Sequence, residues 1–306
     1  MRPFRFGLTS SVATRGDVYL DRVRRAEALG YDVLLVTDHL TRQLSPVPAM
    51  AAAAAVTTRL RIGSYVFAND FRHPLMLARE AATMDVLSGG RLEFGLGAGW
   101  RVSDYRQLGI PYDPPAMRID RLEEALGIIR RLFAGETVTH EGPAYRLGAA
   151  RLSPAPVQAP IPIMLGGGGP RLMRIAAQHA DIISFIPQFN HAGRPIVRQA
   201  TESALVEKVA AVRRAAGQRF DRLELSVFLG AAGMVGSGSA VGGSLFAAGM
   251  ATAAGLVDSP YLLAGTRTHL REVLERRRER LGISYYVIPG PAMESMAPLV
   301  EDLAGQ

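Results

Sequence analysis

Short apolar runs alternate with helical patterns about eight times along the chain. The runs are Phe4–Leu8, Asp32–Val36, Arg61–Val66, Arg91–Leu96, Ile161–Leu165, Ile182–Phe185, Leu223–Leu229 and Ser284–Ile288. They are rich in Val, Ile, Leu and Phe, and most carry apolar residues at both odd and even positions. Strands of that kind are buried on both faces, as in a parallel sheet covered by helices. Between them, Asp17–Leu29 places Leu20, Val23 and Ala26 on one face and stops at Gly30. Pro74 opens a second helix with Leu77, Ala81 and Met84 inward, ended by Ser88-Gly89-Gly90. Pro115–Phe133 has the cleanest period, through Ile119, Leu122, Leu126, Ile129 and Phe133. Helices are also predicted over Arg171–Gln178, Glu202–Ala216, Thr268–Leu281 and Met296–Leu303.

Strand and helix alternating over the whole length predict a parallel sheet with right-handed crossovers. Eight such units favour an α/β fold of the closed (β/α)8 TIM-barrel type over an open sheet. The chain reads as a single domain, 1–306, with insertions about 135–160 and 230–265. The first contains a candidate hairpin near Ala144–Leu147. In the second, Gly230 to Val257 is uncharged and rich in Gly, Ala and Ser, which predicts a loop plus a small-residue helix and not a membrane span. Long insertions on a barrel usually belong to the loops that build its active site. Met1-Arg2-Pro3 leads straight into the first strand with no apolar leader segment, so a cytoplasmic location is expected.

Composition narrows the chemistry. Lys plus Arg number 35, of which only Lys208 is lysine, and the formal charge is +7. Such a charge can signal nucleic acid. Here the arginines are spread along helices beside acidic partners, as in Arg121-Leu122-Glu123-Glu124 and Arg271-Glu272, so a solvated surface is the better reading. Cysteine is absent, which excludes disulfides, thiolate zinc sites and thiol nucleophiles. The histidines have no ligand-type spacing, so no metal site is expected.

In a barrel the chemistry gathers where strands end. After the second strand stand Asp38 and His39, either a general acid/base with its orienting partner or a capping Asp beside a wall His. The third strand leads to Asn69 and Asp70, which either line the mouth or make a turn. After the fourth comes Gly95-Leu96-Gly97-Ala98-Gly99-Trp100, whose glycines allow close approach of a flat ligand or form a tight turn. It lacks the third glycine of a dinucleotide fingerprint. After the fifth, Gly166-Gly167-Gly168-Gly169-Pro170 precedes a helix, which reads more readily as a phosphate loop than as a flexible turn.

Taken in order, these motifs resemble the bacterial luciferase-like superfamily, in particular its branch of oxidoreductases using the deazaflavin coenzyme F420. The resemblance rests on Ala28-Leu29-Gly30-Tyr31-Asp32, Val36-Thr37-Asp38-His39, Thr57-Thr58-Arg59-Leu60-Arg61-Ile62-Gly63 and Phe71-Arg72-His73-Pro74. Leu87-Ser88-Gly89-Gly90-Arg91, Gly97-Ala98-Gly99-Trp100, the glycine run and Ser259-Pro260-Tyr261-Leu262-Leu263-Ala264-Gly265-Thr266 complete it. It implies a hydride transfer between F420 and a small organic substrate, with Asp38 touching the ring system and His39 near the hydride-bearing carbon. Ala98 and Gly99 would contact the cofactor, as would Asn69; Gly167, Gly168 and Gly169 would cradle its phosphate. A non-prolyl cis peptide is implied near Tyr65-Val66, also at the cofactor. Arg194 and Arg198 are candidates for attracting its anionic tail. FMN, which also carries a phosphate, is the alternative cofactor, for a monooxygenase; a non-catalytic flavin-binding protein is the alternative of another class. Sugar-phosphate dehydrogenases of the family carry a proton-donating glutamate where this chain has Trp100. That departure leaves the proton to His39 or to the substrate. Substrate choice is assigned to the loops 100–114, 186–200 and 231–257. A homodimer with neither nucleic-acid nor membrane partners is expected, from a G+C-rich, actinobacterial source.

Overall fold

A computed structural model describes residues 1–10, 14–189, 196–234, 242–243 and 259–306. The strands β1 (Arg5–Ser10), β2 (Val33–Val36), β3 (Arg61–Ser64), β4 (Leu92–Gly97), β5 (Ile163–Gly167), β6 (Ile182–Phe185), β7 (Glu224–Phe228) and β8 (Ile283–Ile288) belong to one sheet. Their order is β3-β2-β1-β8-β7-β6-β5-β4, and β3 also pairs β4 in parallel, which closes the ring. This is the expected (β/α)8 barrel. All residues of β2 and β4 and the four central residues of β1 are buried, as strands covered on both faces must be.

The helices are α1 (Gly16–Ala28), α2 (Pro46–Val56), α3 (Pro74–Leu87), α4 (Val102–Leu108), α5 (Pro115–Phe133), α6 (Pro170–His179), α7 (Glu202–Ala216), α8 (Arg267–Leu281) and α9 (Met293–Leu303). Two of them leave no readable period. α2 is almost entirely Ala, Val, Pro and Met, so no polar face marks its turns. α4 has seven residues, too few for a repeat to emerge. Strand three also ends earlier than Val66. A cis peptide joins Tyr65 to Val66, and the chain resumes as a two-residue strand, Phe67–Ala68, on β4. The first insertion contains an antiparallel hairpin, Val138–Glu141 with Arg146–Ala150. In the second, Ala231–Met234 pairs in parallel with Leu262–Gly265. The expected helix beyond Met234, and Arg194, lie outside the described residues.

The chain divides into two compact units. One comprises Met1–Ser10, Arg24–Leu35 and Leu165–Gln306. Its core includes the rings of Phe4, Phe6 and Tyr286, with centroids 6.4 Å apart, and the Tyr31 hydroxyl donates to the Met293 carbonyl at 2.8 Å. The other comprises Ser11–Val23 and Val36–Met164. There Phe94 packs edge-on against Phe133, and Ser64 and Gly95 lock β3 to β4 through the Ser64 hydroxyl. A Cβ on Gly95 would lie 2.0 Å from the Ser64 carbonyl, so only glycine permits that approach.

Candidate functional site

Within the second unit, the chain leaves β2 through Thr37, Asp38 and His39. Asp38 is 5 % exposed and fully engaged. It accepts from the Ala68 amide at 3.1 Å and from both Arg72 terminal nitrogens at 2.6 and 3.2 Å. Asp38 therefore pins the short strand after the cis peptide and does not hold His39. That partner is Asp104 on α4, whose Oδ2 lies 2.7 Å from His39 Nδ1. Asp104 is 1 % exposed. In that hydrogen bond Nδ1 donates to the carboxylate oxygen, which leaves Nε2 as the ring's acceptor nitrogen. Nε2 has no hydrogen-bond partner among the described residues, and the imidazole side chain is 25 % exposed. The Trp100 ring meets His39 edge-on at 5.6 Å.

Next to this pair lies a dense polar network. Asp70 accepts from Arg121 through two nitrogens, at 2.8 and 3.1 Å, and from the Tyr105 hydroxyl at 3.0 Å. Arg121 also reaches Asp113 at 2.6 Å, and these bonds hold its guanidinium firmly protonated. Burial, reinforced by the Asp70 charge, pushes the Tyr105 hydroxyl well above its ordinary value, so it stays a donor. Asn69, 1 % exposed, donates from its amide nitrogen to the Tyr145 hydroxyl at 2.9 Å. Its Oδ1 is buried and has no partner among the described residues. A buried acceptor left open costs about 1–3 kcal/mol.

The turn after β4 is held from below. Arg118, 4 % exposed, donates to the carbonyls of Asp113, Ala98 and Gly99. Gly99 has φ +70°, and a Cβ there would lie 2.1 Å from the Tyr105 hydroxyl. Tyr145 is delivered by the hairpin, which Glu124 of α5 clamps. Glu124 accepts from the amides of Tyr145 and Ala144, at 2.9 and 3.1 Å, and contacts His140 Nε2 at 2.9 Å. Burial pushes the Glu124 carboxyl up, but these bonds together outweigh it and hold the group below the ordinary carboxylate range.

Asp38, His39, Tyr65, Val66, Asn69, Ala98 and Gly99 all belong to this unit. Tyr65 is buried, and its amide donates to the Val36 carbonyl at 2.8 Å. Gly167, Gly168 and Gly169 belong to the other unit. There Gly168 packs so that a Cβ would come 2.3 Å from the Ile186 carbonyl, while its own carbonyl accepts from the Gln188 side chain at 3.0 Å. Gly169 caps α6 without a side-chain bond to the first-turn amides. Asp104, Tyr145 and the Arg118 anchor have no sequence motif, and Arg72, though within Phe71-Arg72-His73-Pro74, carries no mark there of its bond to Asp38. Each is one polar residue on a helix or hairpin, and only the fold makes it a neighbour. Among the described residues no group of three or more His, Asp or Glu stands close enough to hold a metal ion, and no helix is long and apolar enough to cross a membrane.

A half-exposed imidazole braced by a buried carboxylate can take or give a proton at Nε2. Among the described residues no serine hydrogen-bonds that base, and the chain has no cysteine. Comparison with known proteins bears on what the proton accompanies. The chain is 35 % identical over 188 residues to a protein of Microbacterium testaceum named F420-dependent glucose-6-phosphate dehydrogenase, covering 58 % of this chain and 55 % of that one. It spans about half the length of the curated relatives it matches. Among solved structures, the F420-dependent tetrahydromethanopterin reductase of Methanopyrus kandleri superposes with TM-score 0.76 at 19 % identity, over 98 % of this chain and 99 % of that one. A long-chain alkane monooxygenase gives TM-score 0.76 at 15 % identity, over 98 % and 90 %. Likeness at such identities carries the fold alone. The family model of luciferase-like monooxygenases matches residues 2–302, and the chain belongs to that family.

Proposed function

We propose that this protein is an oxidoreductase that moves a hydride between coenzyme F420 and a small organic substrate, with His39 exchanging the accompanying proton. The carrying observation is the His39–Asp104 pair at 2.7 Å, which leaves Nε2 as the working nitrogen. The relatives' names favour F420. The residues fit a deazaflavin ring. The open Asn69 Oδ1 would accept from a ring N–H, and Gly99 and Ala98 present backbone already fixed by Arg118. In the other unit, considered by itself, Gly167, Gly168 and Gly169 lead into the uncapped first-turn amides of α6, which attract an anion such as a phosphate. When bound, F420 supplies a ring carbon that accepts or donates two electrons as hydride.

Asp104 fixes the His39 ring and its tautomer, so the proton is exchanged at one nitrogen in one direction. Asp38 holds the backbone beneath, through Ala68 and Arg72, and touches the reaction only through that position. A homodimer in the cytoplasm, from an actinobacterial source, completes the reading.

The test is titration of cofactor-free protein. F420 should bind at least tenfold more tightly than FMN, and His39→Ala should bind F420 normally while turnover falls by a hundredfold or more. Tight FMN binding with oxygen uptake on reduction would instead make the protein a monooxygenase. Normal turnover in His39→Ala would remove the imidazole from the mechanism.

A further inference from the structure

The side chains flanking His39 differ sharply in how far they are committed. Arg72, Arg118 and Arg121 are all occupied by carboxylates or backbone carbonyls. Arg101 is not: its guanidinium makes no hydrogen bond or ion pair to any described residue and lies 5.9 Å from the centre of the Trp100 ring. Trp100 itself is 42 % exposed, unusual for so large an apolar ring. It is nevertheless held in place, because its carbonyl accepts from the Tyr112 hydroxyl at 2.9 Å and its ring meets His39. Leu40, the next residue after His39, is also exposed.

We propose that Trp100 and Arg101 are the specificity-determining residues of the site, and that they select a flat conjugated carboxylate over a phosphorylated sugar. The inference rests on the hydride-transfer reading above and names its substrate class. An indole surface rewards a flat π system, which can lie against it at little entropic cost. A hydroxyl-rich sugar would lose water there without matching hydrogen bonds. The Arg101 guanidinium suits a singly charged carboxylate, which it grips with two parallel bonds. A phosphate dianion would call for further donors, and those of Arg72, Arg118 and Arg121 are already engaged.

Trp100 is the chain's one tryptophan, so its fluorescence reports directly on this surface. The probes are sorbate, its neutral counterpart sorbyl alcohol, saturated hexanoate and glucose 6-phosphate, each titrated into F420-loaded protein while deazaflavin absorbance tracks the cofactor. Sorbate should perturb Trp100 and bind about tenfold more tightly than either sorbyl alcohol or hexanoate, the gap that one charge-assisted contact or one stacked face provides. Arg101→Gln should erase the gap to sorbyl alcohol. Trp100→Leu, followed by calorimetry, should erase the gap to hexanoate. Glucose 6-phosphate binding as tightly as sorbate, or sorbate affinity unchanged in Arg101→Gln, would overturn the assignment. A Trp100 response in protein that never takes up F420 would sink the cofactor reading and leave the recognition pair standing. Bound F420 with Trp100 silent to sorbate would do the reverse.

Discussion

At the scale of single residues, the site depends on two kinds of constraint: a partner that must be present and a side chain that must be absent. Asp104 is the first kind. Replacing it with Asn keeps its volume but lets an amide N–H face His39, which favours the wrong tautomer. Asp104→Asn should lower kcat about a hundredfold, or ~3 kcal/mol, with KM within about twofold, because the residue positions the base without touching substrate. Steady-state kinetics test the split, and nitrogen NMR of the imidazole tests the tautomer; a change confined to KM would remove Asp104 from this role. Gly99 is the second kind. Its left-handed backbone and the Tyr105 hydroxyl 2.1 Å from its missing Cβ make Gly99→Ala destabilising by about 2–3 kcal/mol. Tyr105→Phe removes the closest atom, so the double variant should be more stable in urea than the two single losses sum to. The sequence makes Gly99 and His39 conspicuous because strand ends announce them. Asp104 is silent there: it stands 65 positions from His39 on a seven-residue helix, and only folding gives it meaning.

At the scale of elements, strands and long helices are legible because burial on two faces and a 3.6-residue period each leave a pattern. α2 leaves none, being apolar all round, and the break after β3 leaves none because Tyr65 and Val66 look like ordinary strand residues. The hairpin is visible as an insertion, but its purpose is not, since that lies in the contact between Tyr145 and Asn69. The contact depends on Glu124, whose carboxylate binds the turn amides. Glu124→Ala should raise hydrogen exchange at the Ala144 and Tyr145 amides tenfold or more while the barrel strands stay protected. Because the folded Glu124 carboxyl lies below its ordinary value, its stabilising contribution is present above pH ~4.5 and lost as pH falls through the folded value. The parent hairpin should therefore loosen in acid, whereas the variant's exchange should lack that step. Equal acid sensitivity in both would show that another group clamps the turn.

At the scale of the whole molecule, the odd charge composition sets the response to alkali. Arginine supplies 34 of the 35 basic residues and stays protonated across the accessible range, and cysteine is absent. That leaves Lys208 in a singular position. It is 8 % exposed, donates to the Gln199 carbonyl at 3.1 Å and to the Tyr261 hydroxyl at 3.4 Å, and forms no ion pair with a carboxylate among the described residues. Burial lowers its pKa to about 8. The unfolded chain, with lysine near 10.5, thus binds more protons than the native one between those values, so folding stability must rise with pH through that window. The gain is on the order of 3 kcal/mol when integrated over the full shift. Above pH ~10 the sign reverses, because burial raises the hydroxyls of Tyr19, Tyr31, Tyr105, Tyr261 and Tyr286 and only the unfolded chain then ionises. Stability should peak near pH 10. Lys208→Met removes the rising limb and leaves the falling one. Urea denaturation of parent and variant at pH 7.5 and pH 10 should show their difference moving in the parent's favour by a few kcal/mol. The tyrosines cancel in that difference, so a gap that does not change with pH would mean that Lys208 keeps its proton in the fold and that the alkaline response originates elsewhere.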